Sequence, residues 1–199
     1  MGFSTLLDVI GATIMGSILL LILLRLTATA TENSIITSSD RILQRSLSEI
    51  AIIVEEDLRK MGYCADPDKL TDAMSRVITA DSNFISFYTD VDRDGNLDSI
   101  SYSISDTTAL SHTTNPRDRI LYRQVNTNTP LIVCSNIVRF KLRYFDVLGQ
   151  ELTFPITTPA RVAHLEISFK VEDPEAYDQK YSEAYWQQVR LTSRNLKKR

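Results

Sequence analysis

Residues 6–24 read Leu-Leu-Asp-Val-Ile-Gly-Ala-Thr-Ile-Met-Gly-Ser-Ile-Leu-Leu-Leu-Ile-Leu-Leu, and Asp8 is the only charge among these nineteen positions. At about 1.5 Å per residue a helix over this run spans roughly 28 Å, close to the thickness of a bilayer's hydrocarbon core. A helix satisfies its own backbone hydrogen bonds, so a membrane span is the default reading of such a run. The helical pattern continues beyond it. Ile36, Leu43, Leu47, Ile50, Val54, Leu58 and Met61 recur in steps of three, four and seven, the spacing of one helical face. Arg41, Gln44, Arg45, Ser48, Glu49, Glu56, Arg59 and Lys60 fall opposite, and Gly62 supplies a C-cap. The expectation is one helix from about Thr5 to Met61, roughly 85 Å long. Its first half is apolar all round, and its second half has one face to lay on a domain.

The remaining residues set the other bounds. Of 199 residues, 63–199 suffice for one globular domain with a real core, which gives three regions: 1–26 hydrophobic, 27–62 amphipathic and 63–199 globular. A net charge of −3 argues against a nucleic-acid partner. A cleavable signal peptide would need a basic region ahead of the run and a small-residue site after it. Ala28-Thr29-Ala30 is the one candidate for such a site. In the segment from Thr27 to Ser34 the Thr, Asn and Ser residues are mediocre helix formers, which suits either a segment that unwinds or an exposed turn of helix. Gly11 and Gly16 either permit close helix packing or are merely tolerated in an apolar helix.

After Gly62 the helical period is lost. Asp66-Pro67-Asp68 marks a turn, and Leu70 to Ile78 predicts a short helix with Leu70, Met74, Val77 and Ile78 on one face. Alternation then takes over at Phe84–Thr89 and Ser99–Ile104 around an Asp- and Gly-rich turn, a hairpin signature. Further strands are predicted at 120–125, 131–134, 137–145, 151–154, 162–171 and 188–193, and Glu172 to Tyr185 reads as a long loop or short helix. Short strands at regular spacing mean an antiparallel sheet. The fold class is therefore α+β, a long N-terminal helix packed on an antiparallel sheet.

The Gly2-Phe3 junction, the apolar segment and its single acid, Asp8, resemble the N-terminus of type IV pilin-like subunits: pilins, minor pilins and type II secretion pseudopilins. Asp57-Leu58-Arg59-Lys60-Met61-Gly62-Tyr63, Ile137 to Asp146 with Gly149, and Val189 to Asn195 are similar to the helix ending, strand-turn element and last strand of minor pilins. Asp8 is sixth counting from Phe3, whereas the family's acid is fifth, and only Met1-Gly2 stands ahead of Phe3. The resemblance implies a bacterial inner-membrane protein with its domain in the periplasm, or an extracellular filament of pilin-like subunits built on the N-terminal helix. It implies processing between Gly2 and Phe3, pairing of Asp8 with a neighbour's N-terminal amine, and an N-in topology that the charges alone do not favour, since Arg25 follows the run. A monomeric, membrane-anchored binding module is the alternative.

Asp90-Val91-Asp92-Arg93-Asp94-Gly95-Asn96-Leu97-Asp98 is the sharpest local motif. Carboxylates on alternate residues with a glycine to turn the chain suit calcium, with Asp90, Asp92, Asp94, Asn96 and Asp98 as donors. Position twelve is Ser101 rather than Glu, and no helices flank the loop, so it is not an EF-hand. The competing reading is a hairpin turn in which Asp and Gly serve backbone geometry. Some pilin-like subunits bind calcium, which the resemblance adds to the first reading. Cys64 and Cys134 would form a disulfide in an exported domain, or else remain two thiols. His112 and His164 stand apart without spaced partners, and no phosphate loop, nucleophile elbow or C-x-x-C pair occurs. No enzyme activity is expected. Tyr177, Tyr181, Tyr185 and Trp186 form an aromatic cluster in sequence, either a binding patch or core packing.

Overall fold

A computed structural model describes residues 2–69, 76–175 and 181–191. Helix α1 runs from Gly2 to Lys60. The chain divides into two units, one ending at Arg41 and the other beginning at Ile42. In the first, every described residue lies on α1 and none is buried. Its hydroxyls bond back into the helix, Thr13 Oγ1 to Ile10 O (2.9 Å), Ser17 Oγ to Thr13 O (2.7 Å) and Thr31 Oγ1 to Thr27 O (2.9 Å). Residues 27–34 are thus helical here, with hydroxyls that compete for the same carbonyls as the backbone.

The second unit joins the end of α1 to seven strands: β1 (Val77–Ala80), β2 (Phe84–Thr89), β3 (Asp98–Ile104), β4 (Arg119–Val125), β5 (Leu131–Phe145), β6 (His164–Glu172) and β7 (Glu183–Leu191). They form one antiparallel sheet in chain order, because each strand pairs with the next. The sheet curls until the β1–β2 turn meets β5, where the Leu142 amide donates to Ser82 O at 2.8 Å. Leu43, Leu47, Ile50, Val54 and Leu58 of α1 pack into the core with Phe87, Tyr102, Leu142 and Phe169 of the sheet. The expected helical face is therefore the buried face, although burial starts at Leu43 and Ile36 is only half-buried.

At the end of α1 the chain makes three bonds to β2 and its turn. Gly62 N–H donates to Tyr88 O (2.7 Å), Thr89 Oγ1 to Lys60 O (3.0 Å) and Asp90 N–H to Tyr63 O (2.8 Å). Gly62 sits at φ +70°, the left-handed cap its sequence position predicts.

Several expected elements are corrected. Val77 and Ile78 lie on β1, not on a helix, and residues 70–75 of that predicted helix lie outside the described residues. The β-branched run Val77-Ile78-Thr79 favours the pleated state. The strands expected at 131–134 and 137–145 are one strand, interrupted only in register. The irregularity between Ile137 and Arg139 puts Ile137 and Phe140, three apart, on the same buried side. The stretch 151–154 contributes only a bridge from Glu151 to Phe145. The two ends of the expected loop 172–185 prove to be strand, with Glu172 closing β6 opposite Glu183 and residues 183–185 opening β7, while 176–180 lie outside the described residues. The last strand begins at Glu183 rather than Gln188, and its expected continuation past Leu191 is likewise outside them.

Candidate functional site

The acidic loop, residues 90–97, links β2 to β3, whose pairing closes with Thr89 opposite Asp98. Arg93 (φ +64°) and Gly95 (φ +82°) take left-handed backbone, and the loop folds back on its own side chains. Asp90 is 1 % exposed, and its Oδ2 accepts from the amides of Ala65 and Gly95, both at 3.0 Å. Asp98 Oδ2 accepts from Val91 N–H (3.0 Å), and its Oδ1 accepts from Asn126 Nδ2 (2.7 Å). Asp92 Oδ1 accepts from the Asp94 amide at 3.2 Å.

One carboxylate oxygen from each of Asp90, Asp92 and Asp98 lies within 4.8 Å of the others. Asp94 and Asn96 face different partners. Asp94 accepts from the Asn96 amide and side chain, each at 2.7 Å, and these bonds, the backbone one first, hold its carboxyl below the usual range. Asn96 Oδ1 accepts from Lys69 Nζ at 2.6 Å. Of five expected donors, the fold thus gathers three.

The expected disulfide is not formed. Cys64 Sγ contacts Gly95 O at 3.6 Å, and Cys134 Sγ lies 2.9 Å from Asn136 Oδ1 on β5. Burial pushes the Cys134 thiol pKa up, which keeps it protonated and unreactive. Sequence separation carries no information on the Cα distance that a bridge requires.

Phe3 and Asp8 are exposed on α1, as is Gly2. His112 is exposed in the connection between β3 and β4, and His164 opens β6. The aromatic cluster disperses: Trp186 stacks on Phe169 (5.0 Å), Tyr181 lies under the Arg117 guanidinium, Tyr185 is exposed, and Tyr177 is outside the described residues.

Two features were not legible from spacing. The first is a buried contact between α1 and the sheet, in which Asp57 Oδ2 accepts from Tyr102 Oη and Arg123 Nε, both at 2.6 Å. Asp57 sits at an i−3 and i+4 position relative to Lys60 and Ile53, and only its place beside the apolar residues of the face hinted at burial. The second is a groove of about 550 Å³ over β4 and β5, lined by Arg119, Arg139, Lys141 and Arg143, with Glu151 the only acid among the described residues of its lining. Arg143 is held by Glu151 and Glu166 across the strands.

Scanned against protein-family models and against curated proteins, the chain matches none.

Proposed function

We propose that this chain is a membrane-anchored subunit that polymerises through the apolar half of α1 into a filament of the type IV pilin-like kind. The observation that carries the reading is the exposure of residues 6–24 on all sides of a helix long and apolar enough to cross a membrane. Leu6, Met15, Leu19 and Leu23 are 58, 72, 62 and 59 % exposed. Apolar area of that extent must be covered by lipid or by other helices.

Lipid covers it before assembly and neighbouring copies cover it afterwards. Asp8 supports the second state, because a lone carboxylate is costly in hydrocarbon and gains a partner from a neighbour's N-terminal amine. Gly11 and Gly16 support it too, since nothing lies within 4 Å of a Cβ placed on either and another helix can approach closely there. In this reading residues 42–191 face the periplasm of a bacterial cell and then the filament's outer surface.

The test is electron microscopy of material sheared from producing cells, with mass spectrometry of the N-terminus. Filaments containing the chain, with an N-terminus at Phe3, support the proposal. A second reading, a monomeric anchored module that binds an anionic ligand, draws on the basic groove over β4 and β5. A chain found only in membranes and monomeric in detergent would replace the first reading by the second.

A further inference from the structure

The acidic loop holds one feature that turn geometry leaves unexplained. Asp90 Oδ2 is satisfied by two amides, but Asp90 Oδ1, equally buried, meets no hydrogen-bond partner among the described residues. A carboxylate oxygen withdrawn from water without a partner is strongly unfavourable, and buried charges are ordinarily paired or bound to metal.

We propose that the loop binds one calcium ion through Asp90, Asp92 and Asp98, with Asp90 Oδ1 as the innermost ligand. Oxygens around a calcium ion stand at about 2.3–2.6 Å from it, so any two are at most about 5 Å apart. The three carboxylate oxygens, within 4.8 Å of one another, already meet that limit. The donors are hard oxygens only, which disfavours zinc. Their arrangement is irregular, with Asp92 exposed and Asp90 buried, so waters complete a flexible shell of the sort calcium accepts and magnesium does not. The hydrogen bonds on Asp98 do not exclude it, because each carboxylate oxygen keeps a second lone pair.

The ion acts on the end of α1. Asp90 is tied through Oδ2 to Ala65 and through its own amide to Tyr63, so an ion on Oδ1 fixes the β2–β3 loop and the segment after the helix together. Neither step depends on filament formation.

The experiment uses the full chain in detergent micelles, stripped with chelator and titrated with calcium chloride by calorimetry, with melting temperature read in parallel. One site per chain and a melting temperature that rises with calcium are expected. Asp92→Asn and Asp98→Asn each weaken binding about tenfold or more, a loss typical of perturbed metal sites. Asp94→Asn, whose carboxylate faces Asn96, leaves affinity within about threefold. Asp92 is exposed and accepts from the neighbouring Asp94 amide, so Asp92→Asn reports on binding even if Asp90→Asn fails to fold. A folded chain with no heat and no melting shift up to about 10 mM calcium, beyond the weakest extracellular sites, overturns the proposal. So does affinity unchanged by Asp92→Asn, or an equal response to magnesium.

Discussion

Tyr102 and Asp57 meet where α1 crosses the sheet, and each has a separable role. Tyr102 is fully buried and donates to Asp57 Oδ2, which also accepts from the Arg123 guanidinium. Asp57→Ala leaves Arg123 and the tyrosine hydroxyl without their acceptor, and an expected loss of about 3–5 kcal/mol follows from breaking a buried pair on one side. Tyr102→Phe removes a single hydrogen bond, and chemical denaturation should show a smaller loss, about 0.5–1.5 kcal/mol. The same hydroxyl gives the domain an alkaline limit. Burial, and for Tyr102 the Asp57 charge after it, pushes the pKa of Tyr102 and of Tyr144 above the usual value. The unfolded chain therefore releases these protons first, near pH 10, while the folded chain keeps them. Stability is whole below that pH and falls above it, by up to about 1.4 kcal/mol per pH unit for each tyrosine. Denaturation midpoints measured from pH 8 to pH 11 should fall, and Tyr102→Phe or Tyr144→Phe should each flatten the slope. An unchanged slope in both variants would show that other groups set the limit. None of this was legible beforehand, because Arg123 stands 66 positions from Asp57 and only the curl of the chain brings it near. The acidic loop was half legible for the same reason. Alternation and glycine mark the motif, but Asp94 and Asn96 are turned away by Lys69 and by each other.

Among the elements, α1 was the most legible, since a period of 3.6 over seven apolar residues leaves few alternatives. Its exposed side adds pairs at i,i+4, Arg45 with Glu49, Arg59 with Glu55 and Lys60 with Glu56. Such exposed pairs contribute about 0.3–0.5 kcal/mol each at most, so the helix is held by its buried face. Strand limits were less legible. An irregular register in β5 breaks the period-2 pattern, which made one strand read as two, and the polar edge at Glu183 hid the start of β7. The cap of α1 carries the sharpest expectation at this scale. A Cβ on Gly62 would lie 2.7 Å from Arg76 Cδ and would face the left-handed φ of +70°. The arginine stem can shift, but the backbone cannot without losing the Gly62 bond to Tyr88 O. Gly62→Ala should therefore cost about 1–3 kcal/mol, the usual range for a non-glycine residue held in such a conformation. A denaturation midpoint equal to that of the original chain would mean that the cap is free to relax.

For the molecule as a whole, the α+β class was legible because helical and alternating periods occupy different parts of the chain, and consecutive strands pair by default. The place where the chain divides was not. Periodicity extends the amphipathic face back to Ile36, whereas the buried residues begin at Leu43, because period marks what a face can do and not where a partner ends. That difference has a consequence for the isolated domain. Among the described residues every member of the hydrophobic core lies between Leu43 and Ala184, so removing residues 1–41 deletes none of it. A chain beginning at Ile42 keeps Leu43, Leu47, Ile50, Val54 and Leu58 to cover the sheet and loses the apolar run. It should stay in solution without detergent and unfold cooperatively, within about 0.5 kcal/mol of the full chain, as expected when only exposed residues are lost. A chain beginning at Met61 removes those five side chains, each worth about 1.5–3 kcal/mol when buried, and should aggregate. Trp186, the only tryptophan, stacks on Phe169 beside the core and reports both outcomes by its fluorescence. A cooperative transition at an unchanged midpoint in the chain from Ile42 places all the folding information after residue 41. Loss of that transition would mean that the apolar half of α1 is needed for the domain to fold as well as for its anchoring.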